Sequence, residues 1–137
     1  MSTVLLALLA QSITMADPNL SYDDAYHQME STGKPLVILV TADWCGACQN
    51  MKHGPLANLR RRGKMEKVCY TVINTDQQPE LAGKIMSGGT IPQLIVYRKS
   101  GPGWQRYQLT GAHSESEVES VLDQATTTLA STETVQR

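Results

Sequence analysis

Two cysteines separated by two residues, Cys45-Gly46-Ala47-Cys48, are the residues whose type and spacing could do chemistry. On the first turn of a helix this spacing brings the sulfurs within bonding reach, with Cys45 at the exposed end and Cys48 one turn inward. Backbone N–H groups and the helix dipole at such a terminus favour negative charge, which makes Cys45 the expected attacking thiolate. Cys48 is then the thiol that resolves a mixed disulfide. Thiol–disulfide exchange of this kind needs no bound cofactor. Trp44 beside the nucleophile either shields the site and contacts substrate or is a half-buried packing residue. Asp43 would raise the Cys45 pKa by charge repulsion.

Other readings attach to the same residues. A structural or metal-binding pair would need four ligands for zinc, and with no second CxxC and no HxxxH, Cys69 and His53 would have to complete the set. Copper or zinc delivery through the two thiolates is a related alternative. Cys69, between Val68 and Tyr70, reads more simply as a small buried thiol on a strand. His53 lies eight residues beyond Cys45, about two helical turns, and reads as a surface or helix-end residue. His27 and His113 carry less signal still.

The chain has 137 residues, enough for one domain with an ordinary hydrophobic core. Twelve basic side chains nearly cancel 13 acidic ones, so no strong field draws in nucleic acid or anionic lipid. The Arg60-Arg61-Arg62 run reads as a solvated helix end. Three cysteines are too few for a secreted disulfide scaffold of this length. Residues 1–16 hold a short apolar run, Val4 to Ala10, and a small-residue site, Thr14-Met15-Ala16, that resembles a weak export signal. Export to the periplasm or exterior is therefore expected, with an N-terminal extension of a cytoplasmic protein as the alternative. The run is too short to span a bilayer. Residues 17–130 form the expected domain, and 131–137 a polar tail.

Around the cysteines the elements alternate. Ser21 can cap a helix to about Thr32, with Asp23 and Asp24 in its first turn and Gly33 as terminator. Leu36 to Val40 is a continuous apolar run rich in β-branched residues, as expected of a central strand covered on both faces. A helix from Cys45 to about His53 should break at Gly54-Pro55 before Leu56 to Arg62 continues. Lys67 to Asn74 reads as a second buried strand parallel to the first, and Gln78 to Met86 as a helix. Gln93 to Arg98 and Trp104 to Leu109 should form an antiparallel edge hairpin across the Lys99 to Gly103 turn. Ser114 with Glu117 makes a capping box for a last amphipathic helix, with Val118, Val121, Leu122, Ala125 and Leu129 on one face. The expected fold is α/β, a mixed sheet made of a parallel β-α-β half and an antiparallel hairpin, flanked by helices.

The run Ala42-Asp43-Trp44-Cys45-Gly46-Ala47-Cys48, then Thr90-Ile91-Pro92, then Thr110-Gly111-Ala112, resembles the thioredoxin family's motifs in the family's order. The likeness covers roughly residues 21 to 126, one domain in size. It implies a thioredoxin fold, a cis Pro92 beside the disulfide, and an Ile91 backbone that binds an extended substrate segment together with Trp44, Gly46 and Ala47. Gly33-Lys34-Pro35-Leu36 and the segment leading into the cysteines are similar to the thioredoxin-like domains of periplasmic disulfide reductases, which favours a reducing role. The resemblance also implies a buried acid six residues before the first cysteine and a lysine on the following strand, where this chain has Leu39 and Val72. Gly-Ala replaces the family's Gly-Pro between the cysteines. The expected partners are protein disulfide or thiol substrates and an upstream protein reductant, met by a monomer. A thioredoxin-like binding module that presents its Pro92 groove without turnover is the alternative from another class.

Overall fold

The computed structural model describes residues 19–133. The expected export segment, residues 1–16, lies outside the described residues. The first helix, α1 (Tyr22–Thr32), starts and stops on local signals. The Ser21 hydroxyl accepts from the Asp24 N–H at 3.1 Å, and Gly33, at φ 74°, donates its N–H to Met29 O. Ala25 and Met29, four apart, are buried, while Tyr26 turns outward and stacks on Tyr22.

Strand β1 (Leu36–Thr41) is buried at every position because both its edges and both its faces are covered. It pairs in parallel with β2 (Cys69–Asn74), Leu39 opposite Val72, and antiparallel with β3 (Gln93–Ser100), in a sheet of order β2-β1-β3-β4. β2 starts at Cys69 rather than Lys67, where the Cys69 N–H bonds Pro35 O. Among the described residues it is an edge strand, and its outer side meets an isolated bridge from Leu20 to Thr71. The hairpin partner β4 (Gly103–Thr110) pairs as far as Ser100 opposite Gly103, so the loop shrinks from the expected five residues to Gly101-Pro102. Gly101 has φ 59°, the positive value a two-residue hairpin loop asks of its first residue.

Alternation along β1 divides the core in two. Val37 and Leu39 face Met51, Leu56, Leu59, Val118, Leu122 and Ala125. These come from α2 (Gly46–His53), α3 (Pro55–Arg61) and α5 (Glu115–Glu133). Leu36, Ile38 and Val40 face α1 and α4 (Pro79–Ile85) on the other side. The break between α2 and α3 falls at Gly54, where a Cβ would lie 2.8 Å from Asn50 O, with Pro55 opening the next helix. Ser114 and Glu117 form the capping box reciprocally: the Ser114 N–H reaches the Glu117 carboxylate at 2.8 Å and the Glu117 N–H reaches the Ser114 hydroxyl at 3.3 Å. α5 runs to Glu133, three residues into the stretch 131–137 expected as a polar tail. Among the described residues, no helix is long and apolar enough to cross a membrane.

Candidate active site

β1 ends at Thr41, and within four residues the chain turns and enters α2. This places Cys45 at the N-cap, with extended φ −88° and ψ 105°. Its Sγ accepts the Cys48 N–H at 3.2 Å, so one of the donors left without a helical partner in the first turn points at the sulfur. Cys45 and Cys48 are joined in a disulfide, with Cα atoms 5.2 Å apart. Both cysteines are buried, Cys45 at 8% exposure and Cys48 at 0%, so what little access the pair has is on the Cys45 side. Ala42 and Ile91 pack against the pair.

Three segments distant in sequence meet here. The Ile91-Pro92 peptide is cis, and Ile91 touches the disulfide cluster. Pro92 O accepts the Gly111 N–H at 2.8 Å, which ties the 110–112 turn to the proline, and Gly111 takes φ 84°, a conformation glycine adopts without strain. Trp44, 72% exposed and next to Cys45 in the chain, lines an open groove of about 560 Å3 together with Met86, Gly88, Gly89 and Ile91. Gly46 and Ala47 are exposed on the first turn of α2, between the two cysteines.

Three residues that the sequence reading did not single out hold this arrangement. Asp76 Oδ2 accepts the Trp44 indole N–H at 3.0 Å, and so orients an otherwise free aromatic ring. Asn74 lies behind it: its Oδ1 accepts the Asp76 N–H and its Nδ2 donates to Asp43 Oδ1 at 3.1 Å. The available signal was the Asn74-Thr75-Asp76 turn at the end of a strand, a setting in which an Asn side chain bonds the backbone two residues on. Gln93, directly after Pro92, is the third such residue.

The remaining candidates are dispersed. Cys69 is fully buried on the α1 and α4 face of the sheet, within the second core, and burial pushes its thiol pKa up. His53 is exposed at the end of α2. Neither is brought to the cysteine pair, and among the described residues no group of three or more His, Cys, Asp or Glu side chains could hold a metal. The arginine run is absorbed locally: Arg60 bonds Asn19 and lies over Tyr70, Arg61 bonds Asn58, and Arg62 bonds Glu115 and Glu119.

A sheet flanked on both faces by helices, with a redox-active cysteine pair at the N-terminus of the helix after its central strand and a proline loop packed against it, defines a thiol–disulfide oxidoreductase of thioredoxin type. The thioredoxin family's sequence profile matches residues 18–124, and the chain belongs to that family. Among its relatives, Thioredoxin Y2 of the Arabidopsis thaliana chloroplast is 30% identical over 88 residues, which cover 64% of this chain and 48% of that protein. The chain therefore spans about half the length of that relative. The thioredoxin of Alicyclobacillus acidocaldarius is 28% identical over 113 residues, covering 81% of this chain and 94% of that one. In structure the chain is similar to a thioredoxin from Thermus thermophilus, with TM-score 0.63 at 20% identity, over 75% of this chain and 82% of that one.

Proposed function

We propose that the chain reduces disulfides in other proteins, with Cys45 as nucleophile and Cys48 as resolving thiol. The observation that carries this reading is the placement of Cys45 Sγ at the N-cap of α2, accepting the Cys48 N–H, in a disulfide with Cys48 and in contact with Ile91.

Each turnover balances. The Cys45 thiolate attacks one sulfur of the substrate disulfide; that S–S bond breaks, the other substrate sulfur leaves as a thiolate and takes a proton, and a mixed disulfide remains on Cys45. Cys48 loses its proton and attacks Cys45 Sγ, releasing the second substrate thiol. The Cys45-Cys48 disulfide results, having passed two electrons to the substrate. An upstream protein dithiol returns those electrons, so no bound cofactor enters. The helix N-terminus favours the thiolate at Cys45 both as attacking group and as leaving group. Trp44 and the Ile91-Pro92 backbone supply the surface on which an extended substrate segment lies, with Gly46 and Ala47 exposed to meet it.

Cys48→Ser blocks the second step alone. We expect it to accumulate Cys45-linked mixed disulfides with reduced turnover, while Cys45→Ser forms none and is inactive. Equilibration with glutathione buffers gives the direction of electron flow: a potential near about −270 mV fits a reductant, and one near about −120 mV makes the protein an oxidant instead. A pair that forms no disulfide in any buffer would overturn the redox reading.

A further inference from the structure

We infer that Gln93 is a positioning residue for substrate docking: its buried side-chain amide fixes the Ser87 to Ile91 loop, and with it the wall of the groove beside the disulfide. The inference rests on the proposed reaction with protein substrates and names a residue that determines how they bind.

The loop from Ser87 to Pro92 has no regular secondary structure and contains Gly88 and Gly89, so its backbone has little local reason to hold one shape. Gly88, at φ 79°, and Gly89 nevertheless line the groove next to Trp44 and Ile91. Gln93 begins β3 in the middle of the sheet, its backbone set between Val40 of β1 and Thr110 of β4. It is 0% exposed, and its side chain folds back onto the loop just before it. Oε1 accepts the Ser87 N–H at 3.2 Å, and Nε2 donates to Ser87 O at 3.0 Å, Gly88 O at 3.2 Å and Thr90 O at 3.0 Å. Three carbonyls on one end and an N–H on the other settle which end is nitrogen. The two amide hydrogens are shared among the three oxygens.

Both halves of the amide are therefore spent on the loop's main chain, at residues on either side of the two glycines. An interior strand of the sheet, paired on both sides, is a stiff anchor, and from its first residue one side chain ties the loop to it. Gln108 on the neighbouring strand supports the same point, donating to Ser87 O at 3.2 Å and to the Thr110 hydroxyl at 2.8 Å. None of these bonds reaches a sulfur. Gln93 therefore governs how a polypeptide fits the groove and leaves the thiol chemistry to the cysteine turn.

The test is steady-state reduction of insulin and of bis(2-hydroxyethyl) disulfide by the full chain, with dithiothreitol as reductant, comparing wild type, Gln93→Met and Gln108→Leu. Methionine keeps the length and bulk of glutamine and removes every loop bond. For Gln93→Met we expect KM for insulin to rise about tenfold with kcat falling less than about threefold, and the rate on the small disulfide to fall less than about threefold. Gln108→Leu should raise KM for insulin about threefold, and it decides the matter should Gln93→Met fail to fold. An unchanged KM for insulin in a folded variant, or equal losses on both disulfides, would overturn the inference. A wild-type chain that reduces neither disulfide would instead remove the proposed function, and this inference with it.

Discussion

At Leu39 the chain keeps a hydrocarbon where family resemblance calls for an acid, and the residue facing it across β1 and β2 is Val72 where the resemblance calls for lysine. Leu39 is fully buried and Val72 packs on the same core. The two departures are thus one local exchange, an ion pair replaced by a register-matched apolar pair, and each makes sense only with the other. A buried carboxylate alone there would lack a partner and cost several kcal/mol. We expect Leu39→Asp to lower the unfolding free energy at pH 7 by at least about 3 kcal/mol. The sign with pH follows from burial. The folded carboxyl would titrate above its unfolded value of about 3.9, so the loss deepens as pH rises from about 4 towards the folded pKa. Adding Val72→Lys should return part of the loss. Urea unfolding across pH reads both effects, and a loss independent of pH, untouched by the lysine, would mean that the carboxyl escapes to solvent. The proton of Cys48 accordingly has no buried acid at position 39 to receive it, and in the proposed reaction it passes to water or to the departing thiolate.

Elements were legible in the sequence wherever their ends are decided within a few residues. The Ser21 and Gly33 caps of α1, the Gly54-Pro55 break and the Ser114-Glu117 box all involve neighbours in the chain, and each sits at its expected place. Ends decided by another strand were not legible. β2 waits for Cys69 because its first bond is to Pro35 O, and the hairpin loop shortens because Ser100 finds Gly103. The packing of α3 on α5 belongs to the same class. Arg62 meets Glu115 at 2.8 Å and Glu119 at 2.9 Å, Lys64 meets Glu119 at 3.2 Å, and Asn58 donates to Glu115. The Asn58 hydrogen bond and then Arg62 hold the Glu115 carboxyl below its ordinary pKa, and Arg62 and then Lys64 do so for Glu119. Folded pKa values below the unfolded ones contribute stability above the usual carboxylate range and lose it as pH falls through the folded values. Arg62→Ala should therefore lower the urea midpoint slightly at pH 7, since the pairs are exposed, and should match wild type once pH is well below about 4. A deficit that persists in acid would assign the role of Arg62 to packing of its stem rather than to charge.

At the scale of the whole molecule, the site is an assembly that no single stretch encodes. The cysteine turn, the Ile91-Pro92 peptide and the Gly111 turn meet because β1, β3 and β4 lie side by side and end at the same rim of the sheet. The cysteine turn could be read from spacing and context, and the proline and glycine only through resemblance. Asp76 and Gln93 act through hydrogen bonds that local patterns did not announce. One consequence links folding to redox state. In the reduced protein the N-terminus of α2 exists only when the chain is folded, so its preference for a thiolate on Cys45 is a contribution to folding stability. A thiol pKa depressed on folding contributes stability in full above its unfolded value of about 8.5 and loses it as pH falls through the folded value. The disulfide form carries no such titration. The melting temperature of the oxidised protein minus that of the reduced protein should therefore shrink steadily as pH is raised from about 5 to about 8.5. Cys45→Ser should show no such trend relative to Cys45→Ser, Cys48→Ser, because neither carries the stabilised thiolate. Paired melting curves in matched buffers measure the difference directly. A difference that stays flat across this range would mean that the helix terminus does not favour the Cys45 thiolate, and the attacking role would then have to be explained by access alone.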